Sequence, residues 1–216
     1  MGGRGIDGAI LIDPLPGDEF ALALAEAGLP AVTLGRSPDL PQTPRVDQDF
    51  REAMDDVLGH LREQSYERPA FLSIPEHISS TDDMKAAFVE LTSDRVVAIA
   101  RDYSDDAARV SASAALTAER PPDAFICATE RQAIGVYRAA ADLGLRIPAD
   151  VGVVSFGEST LARGFKPPVT AICLFPEQSG QELVYLMTRI LAGEEVPAVT
   201  LVSTELLIRP SSLRPF

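Results

Sequence analysis

The chain of 216 residues is long enough to form one large domain or two small lobes around a buried core. Its hydrophobic fraction of 46% and charged fraction of 24% are ordinary for a globular protein, which excludes the disordered, collagen-like and disulfide-scaffold classes. The formal net charge of −13 repels phosphate groups, so the chain by itself is not expected to bind nucleic acid.

Short apolar runs alternate with amphipathic segments along the chain. Strands are predicted at residues 9–12, 31–34, 71–74, 96–100, 124–128, 151–156 and 171–174, with an extended segment at 199–208. Helices are predicted at residues 18–27, 47–65, 82–92, 104–119, 130–143 and 177–192, and residues 37–44 form a proline-rich loop. This alternation predicts an α/β fold with parallel sheets flanked by helices, in which ligands bind at the carboxyl ends of the strands.

Signatures of catalysis and of metal binding are missing from the sequence. No GxxxxGK[ST], HExxH, GxSxG or CxxC motif occurs, and His60 and His77 stand apart from any nucleophile pattern. Cys127 and Cys173 lie in separate apolar runs and are interpreted as small buried residues. We therefore expect no enzymatic activity and no cofactor.

Without a signal sequence or an apolar run of membrane-spanning length, the expected location is the cytoplasm.

Several sequence stretches form an ordered series along nearly the whole chain. They read DGAILI at 7–12, GLPAV at 28–32, PDAFICATE at 122–130, DVGVVSFGE at 150–158, KPPVTAI at 166–172 and ELLIRPSS at 205–212. In this order they resemble the DGxIL, GIPVV, PDAIFCxND, DVSVVGFDD, PPLTTV and ELVxRxSS segments of the LacI/GalR family of bacterial transcription regulators. The similarity lies in the family's effector-binding region.

The resemblance implies a two-lobed, periplasmic-binding-protein-like (type I) fold. Its N-terminal lobe would comprise residues 1–66 plus 175–196, and its C-terminal lobe residues 67–174 plus 197–216. The chain starts where the third strand of the N-terminal lobe would lie, so the family's helix-turn-helix and the beginning of that lobe are expected to be absent. An incomplete lobe would expose a sheet edge, which we expect a partner chain, domain swapping or disorder to accommodate.

The family's effector-binding positions can be carried over residue by residue. The resemblance implies that the effector contacts Asp13, Ser80, Arg101, Tyr103, Thr129, Glu130, Glu158 and Phe175. Tyr103 is the strongest single candidate, because its turn matches the family's D-[FYW]-S pattern. The alternative for Tyr103 is an aromatic ring that packs at a strand end.

Several departures from the family pattern bear on the effector. Thr129 and Glu130 stand where the family has Asn and Asp, and Gly157 replaces an acidic residue. The arginine that clamps the effector in the family corresponds to a position near Ser80 in this chain. Since these changes remove groups that bind sugar hydroxyls, a less polar effector, a weak one or none is expected.

The resemblance also implies a homodimer, with contacts through Ile134, Tyr137, Arg138 and Phe165. The predicted function is the effector-sensing and dimerising core of a transcription regulator, which would contact DNA only through a domain absent from this chain. One alternative is a solute-binding protein of a transport system with the same fold, and another is an enzyme built on an α/β sheet. No membrane association is expected.

Overall fold

A computed structural model of the chain describes residues 5–75, 77–92 and 96–215, with Val96 described for its backbone only. The chain divides into two compact units. The first unit comprises Met1–Asp49, His77–Asp82 and Phe175–Ser203, and the second comprises Phe50–Glu76, Asp83–Leu174 and Thr204–Phe216. Each unit contains a sheet of its own, as the α/β prediction requires.

The first unit is built on a four-stranded parallel sheet in the order β1-β2-β3-β9. Its elements are β1 (Ala9–Ile12), α1 (Glu19–Ala27), β2 (Ala31–Leu34), β3 (Arg45–Gln48), α7 (Pro176–Leu191) and β9 (Val199–Val202). Helix α7 supplies Leu183, Leu186 and Met187 to a core with Val32 and Val46. Strand β1 is an edge strand of this sheet, and its Ile12 is 59% exposed.

The second unit is built on a six-stranded sheet in the order β10-β8-β7-β6-β4-β5, in which β10 alone is antiparallel. Its strands are β4 (Pro69–Ser73), β5 (Val96–Ile99), β6 (Ala124–Cys127), β7 (Gly152–Phe156), β8 (Thr170–Cys173) and β10 (Glu205–Leu207). Its helices are α2 (Phe50–Glu63), α4 (Asp105–Leu116), α5 (Glu130–Asp142) and α6 (Thr160–Gly164), while α3 (Ser79–Leu91) begins in the first unit and continues in the second.

Alternate residues of these strands pack into two separate hydrophobic cores, so helices cover both faces of the sheet. Phe71 packs with the apolar residues of α2, whereas the adjacent Leu72 packs on the side of α4 and α5. Helices α4 and α5 approach closely at Gly135, where a Cβ atom would lie 2.5 Å from that of Ala108. A side chain at this position would force the helices apart.

The observed units differ from the expected lobe boundaries at two whole elements and at His77–Asp82, which belongs to the first unit although it was expected in the C-terminal lobe. Helix α2 belongs to the second unit, since its apolar stripe of Phe50, Met54 and Val57 packs against Phe71. Strand β9 belongs to the first unit, because it pairs with β3. The expected boundaries at residues 66 and 197 are therefore wrong for these elements: periodicity predicts that a helix has an apolar face, but not which sheet that face covers.

Local structure also departs from the prediction in three places. Residues 45–48 form strand β3, although no strand was predicted there and the predicted helix began at residue 47. Helix α3 begins at Ser79, three residues before the predicted start, and α6 was not predicted. Among the described residues, no helix is long and apolar enough to cross a bilayer.

The end of the chain is fastened to the second unit by buried hydroxyl groups, and we call residues 209–212 the C-terminal clasp. The Ser211 hydroxyl donates to the carbonyl of Val153 at 2.6 Å and accepts from the backbone N–H of Thr170 at 2.8 Å. The Ser212 hydroxyl lies 2.6 Å from the Thr170 hydroxyl and 2.7 Å from Nε2 of His60 on α2. The clasp therefore links β7, β8 and α2.

The contact between the clasp and His60 predicts that the free energy of unfolding changes with pH. Burial lowers the pKa of His60, although the charge of Glu63 and a hydrogen bond to the backbone of Ser212 oppose the shift. Below about pH 6.5 the unfolded chain takes up a proton that the folded chain does not, so the free energy of unfolding falls as the pH falls. The slope is at most about 1.4 kcal/mol per pH unit for this one proton.

We expect chemical denaturation between pH 5 and pH 7 to show a smaller loss of stability for His60→Gln than for the parent chain. His77→Gln, which changes the exposed histidine, is the matched control. Equal pH dependence in the parent and the His60→Gln variant would contradict this role for His60.

Candidate functional site

Two of the predicted effector residues of the first unit lie directly next to a strand or a helix. Asp13 directly follows β1, and Phe175 directly precedes α7. Both are non-glycine residues with a φ of +46°, a conformation that side chains disfavour. Such strain persists where the surrounding structure holds the residue firmly, and it is concentrated at functional sites.

Asp13 and Ser80, two of the predicted effector residues, lie together in the first unit. The Ser80 hydroxyl bonds to the half-buried Asp13 carboxylate. Burial and the neighbouring Asp47 raise the pKa of Asp13, while the Ser80 bond works in the opposite direction. The pair can therefore offer a hydroxyl and a carboxylate oxygen to a bound molecule.

Phe175 has a different environment from Asp13. Its ring packs against the core of α7, and its backbone carbonyl accepts from the N–H of Ser179 at 3.0 Å. Any effector contact would use the part of this half-buried side chain that the core leaves uncovered.

In the second unit the predicted residues follow three parallel strands and reach one edge of the sheet. Arg101 and Tyr103 follow β5, Thr129 and Glu130 follow β6, and Glu158 follows β7. Parallel pairing brings the ends of these strands together although 57 residues separate Arg101 from Glu158.

Arg101 and Tyr103 present the accessible side chains of this edge. The Arg101 side chain is 88% exposed and pairs with Asp102 at 3.4 Å. Tyr103 is 48% exposed, and the guanidinium of Arg131 lies 6.0 Å from its ring centroid. The Asp102 carboxylate accepts from the backbone N–H of Ser104, which fixes the turn that carries the ring. An aromatic face held this way suits stacking on a ligand.

Thr129 and Glu130 already have partners within the second unit. The Thr129 hydroxyl caps α5 by accepting from the N–H of Gln132, whose side chain accepts in turn from the N–H of Thr129. The Glu130 carboxylate accepts from the hydroxyl of Ser159 at 2.7 Å. Ser159 was missed by sequence reasoning, because nothing in the sequence shows which loops adjoin at the sheet edge.

Glu158 is the most constrained of the predicted residues. Its side chain is 8% exposed and pairs with Nε of Arg163 and with Nη1 of Arg209, each at 2.7 Å. Burial opposes ionisation, but the two arginines outweigh it and lower the pKa of Glu158. This arrangement joins the sheet edge to the C-terminal clasp.

The predicted dimer residues lie on α5 and in the loop after α6. The rings of Tyr137 and Phe165 meet edge to face with centroids 4.6 Å apart, and the Tyr137 hydroxyl donates to the carbonyl of Pro167 at 2.7 Å. Arg138 forms an ion pair with Asp105 of α4. Ile134 and Phe165 line a shallow, largely apolar depression together with Thr160, Leu161 and Gly164.

Within the described ranges, no group of three or more His, Cys, Asp or Glu side chains could hold a metal ion. The site chemistry of both units is that of hydrogen bonding, charge and one exposed aromatic ring.

Comparison with known proteins places this architecture in a family. The model of the periplasmic binding protein-like domain matches residues 58–212. The HTH-type transcriptional regulator CelR of Thermobifida fusca is 26% identical over 220 residues, which cover 98% of this chain and 65% of CelR. The HTH-type transcriptional repressor MelR of Bacillus subtilis is 25% identical over 96% of this chain and 64% of its own length. The chain thus spans about two thirds of these relatives.

Solved structures agree with this assignment. The structure of a transcriptional regulator CelR–cellobiose complex has a TM-score of 0.86 and 26% identity, over 97% of this chain and 67% of CelR. A LacI-family regulator from Bifidobacterium animalis subsp. lactis has the same fold, with a TM-score of 0.86 and 24% identity over 97% of this chain and 79% of its own. The chain belongs to the periplasmic binding protein-like domain family, as the effector-binding region of a LacI/GalR-type regulator.

Proposed function

We propose that this chain is the effector-sensing and dimerising core of a bacterial LacI-type transcription regulator that works in the cytoplasm. The observation that carries the proposal is that Asp13 directly follows β1 and bonds to Ser80 in the first unit, while Arg101 and Tyr103 follow β5 in the second unit. A DNA-binding domain elsewhere in the full-length protein would respond to the effector. The regulator names of CelR and MelR favour this function over transport.

The effector we propose is a small sugar-like molecule. Asp13 and Ser80 offer groups that bond to hydroxyls, and Tyr103 offers a ring on which the apolar face of a sugar can stack. The cellobiose complex of CelR supports this class of ligand. We propose a mainly structural role at the sheet edge for Thr129, Glu130 and Glu158, since each has a partner within the second unit.

Effector binding can be tested by thermal shift and calorimetry with cellobiose, other sugars and a less polar phenyl glucoside. We expect one of these ligands to raise the melting temperature by mass action. Asp13→Asn and Tyr103→Ala should each weaken its binding by about tenfold, the effect of losing one charge-assisted hydrogen bond or one stacked ring.

The matched control for this test is Arg146→Gln, which changes an exposed ion pair with Asp150. Its affinity should equal that of the parent chain. Unchanged affinity in both site variants would contradict the assigned site. A cooperative melt with no response to any of these ligands would contradict a sugar-like effector.

We further propose that the apolar depression around Ile134 and Phe165 forms the homodimer interface. Leu161 lines it and is 48% exposed, so Leu161→Arg places a charge in the contact with little effect on the folded monomer. Analytical ultracentrifugation should show a dimer for the parent chain and a monomer for this variant at micromolar concentration.

Val110→Arg provides the control for the dimer test. Val110 is 64% exposed on α4 and lies outside the depression. A dimer that survives Leu161→Arg, or one that only Val110→Arg disrupts, would show that this surface is not the interface.

A further inference from the structure

The short helix α6 supplies three of the residues that line the apolar depression assigned to the dimer interface. Its five residues, Thr160–Gly164, are too few to form a stable helix without contacts to the rest of the unit. Ala162 is buried, whereas Leu161 is exposed and lines the depression. The position of Leu161 therefore depends on the contacts that hold α6 against its neighbours.

Helix α5 holds the segment that contains α6 at both ends. Before α6, the Ser159 hydroxyl donates to the Glu130 carboxylate at 2.7 Å. After α6, the ring of Phe165 meets the ring of Tyr137 with centroids 4.6 Å apart. Glu130 and Tyr137 are about two helical turns apart on α5, so they lie on one face of that helix. Ile134 lies between them on this face and lines the depression.

The Ser159 hydroxyl connects Glu130 to the first turn of α6. It donates to Oε1 of Glu130 and accepts from the backbone N–H of Leu161 at 3.0 Å, which caps the helix. Because a bond to a carboxylate is stronger than one between neutral groups, it directs the hydroxyl proton towards Glu130 and leaves the oxygen lone pairs for the N–H of Leu161. Glu130 therefore influences the start of α6 through Ser159.

The bond between Glu130 and Ser159 is the stronger of two polar restraints on α6. Arg163 of α6 also contacts Glu158 at 2.7 Å, but its side chain is 67% exposed, and water weakens an ion pair of this kind. The Glu130–Ser159 bond is partly buried. It lies beside Gly157, where a Cβ atom would be 3.7 Å from Cγ of Glu130.

We propose that Glu130 is a positioning residue for the docking of a second copy of this chain. Its bond to Ser159 holds α6, and α6 presents Leu161 to the partner. The inference rests on the proposed dimer interface and extends it to a residue outside the depression. Glu130 opens α5 directly after the end of β6. One of the two points that hold the dimer surface thus lies at the sheet edge that also carries Tyr103.

Analytical ultracentrifugation of the chain without sugar tests this role. Glu130→Ala and Ser159→Ala should each raise the dimer dissociation constant about tenfold, as expected for the loss of one hydrogen bond to a charged group. Glu130→Gln keeps an acceptor oxygen and should retain most of the affinity. The double variant Glu130→Ala/Ser159→Ala should dimerise no more weakly than either single variant, because all three lack the same bond.

Glu119→Ala is the matched control, since it removes an exposed carboxylate elsewhere in the second unit. Its dimer dissociation constant should equal that of the parent chain. Thermal melting confirms that each variant is folded before it is compared. Unchanged dimer affinity in the folded Glu130→Ala and Ser159→Ala variants would overturn the proposal, as would equal weakening by Glu119→Ala.

Amide hydrogen exchange in the Leu161→Arg background separates this inference from the proposed interface. There Glu130→Ala should speed the exchange of residues 160–165 about tenfold, and Glu130→Gln should not. Unchanged exchange in Glu130→Ala would overturn the positioning role whatever the oligomeric state. A parent dimer that survives Leu161→Arg would instead contradict the interface, and a parent chain that stays monomeric would overturn both the interface and its dependence on Glu130.

Discussion

Parallel strand pairing is the constraint from which the rest of this molecule follows. All strands of the first sheet, and all but β10 of the second, run in one direction within their sheet, so the loops after them emerge at one edge. That geometry places Arg101, Tyr103, Glu130 and Glu158, which lie far apart in the sequence, at the same edge of the second sheet. Because the sheet backbone satisfies its own hydrogen bonds, the loop side chains are left to contact ligands.

The C-terminal clasp connects this edge to the core. Arg209 pairs with Glu158 through its guanidinium and bonds to the Thr170 hydroxyl through its backbone N–H, and Ser212 reaches His60. Buried hydroxyls with several partners are costly to disrupt. The clasp thus gives the last residues of the family pattern a structural purpose: they set the conformation of the loop that carries Glu158.

Sequence reasoning recovered the elements whose signals are local. Buried apolar runs such as Phe125–Cys127 on β6 are unmistakable, and Gly28 ends α1 in a left-handed conformation as a helix-ending glycine does. Strand β3 was missed because its charged Arg45 and Asp47 conceal the apolar face formed by Val46. Its place beside β9 depends on a segment more than 150 residues later in the chain.

The positions of the predicted site residues relative to the strands could be inferred from the sequence, but their partners could not. The resemblance located Asp13, Tyr103 and Glu158 at strand ends, where the structure has them. It did not indicate that Arg163 and Arg209 enclose Glu158, or that Ser159 bonds to Glu130, since these contacts depend on how loops pack in three dimensions.

Amide hydrogen exchange, measured with and without a saturating concentration of the sugar that binds most tightly, tests the central claim most directly. An effector-sensing core should show new protection at the turn after β1 around Asp13, at the start of α3 around Ser80, and at the turn that carries Tyr103. Protection confined to other segments, with these three unchanged, would contradict the assignment of the strand ends as the effector site.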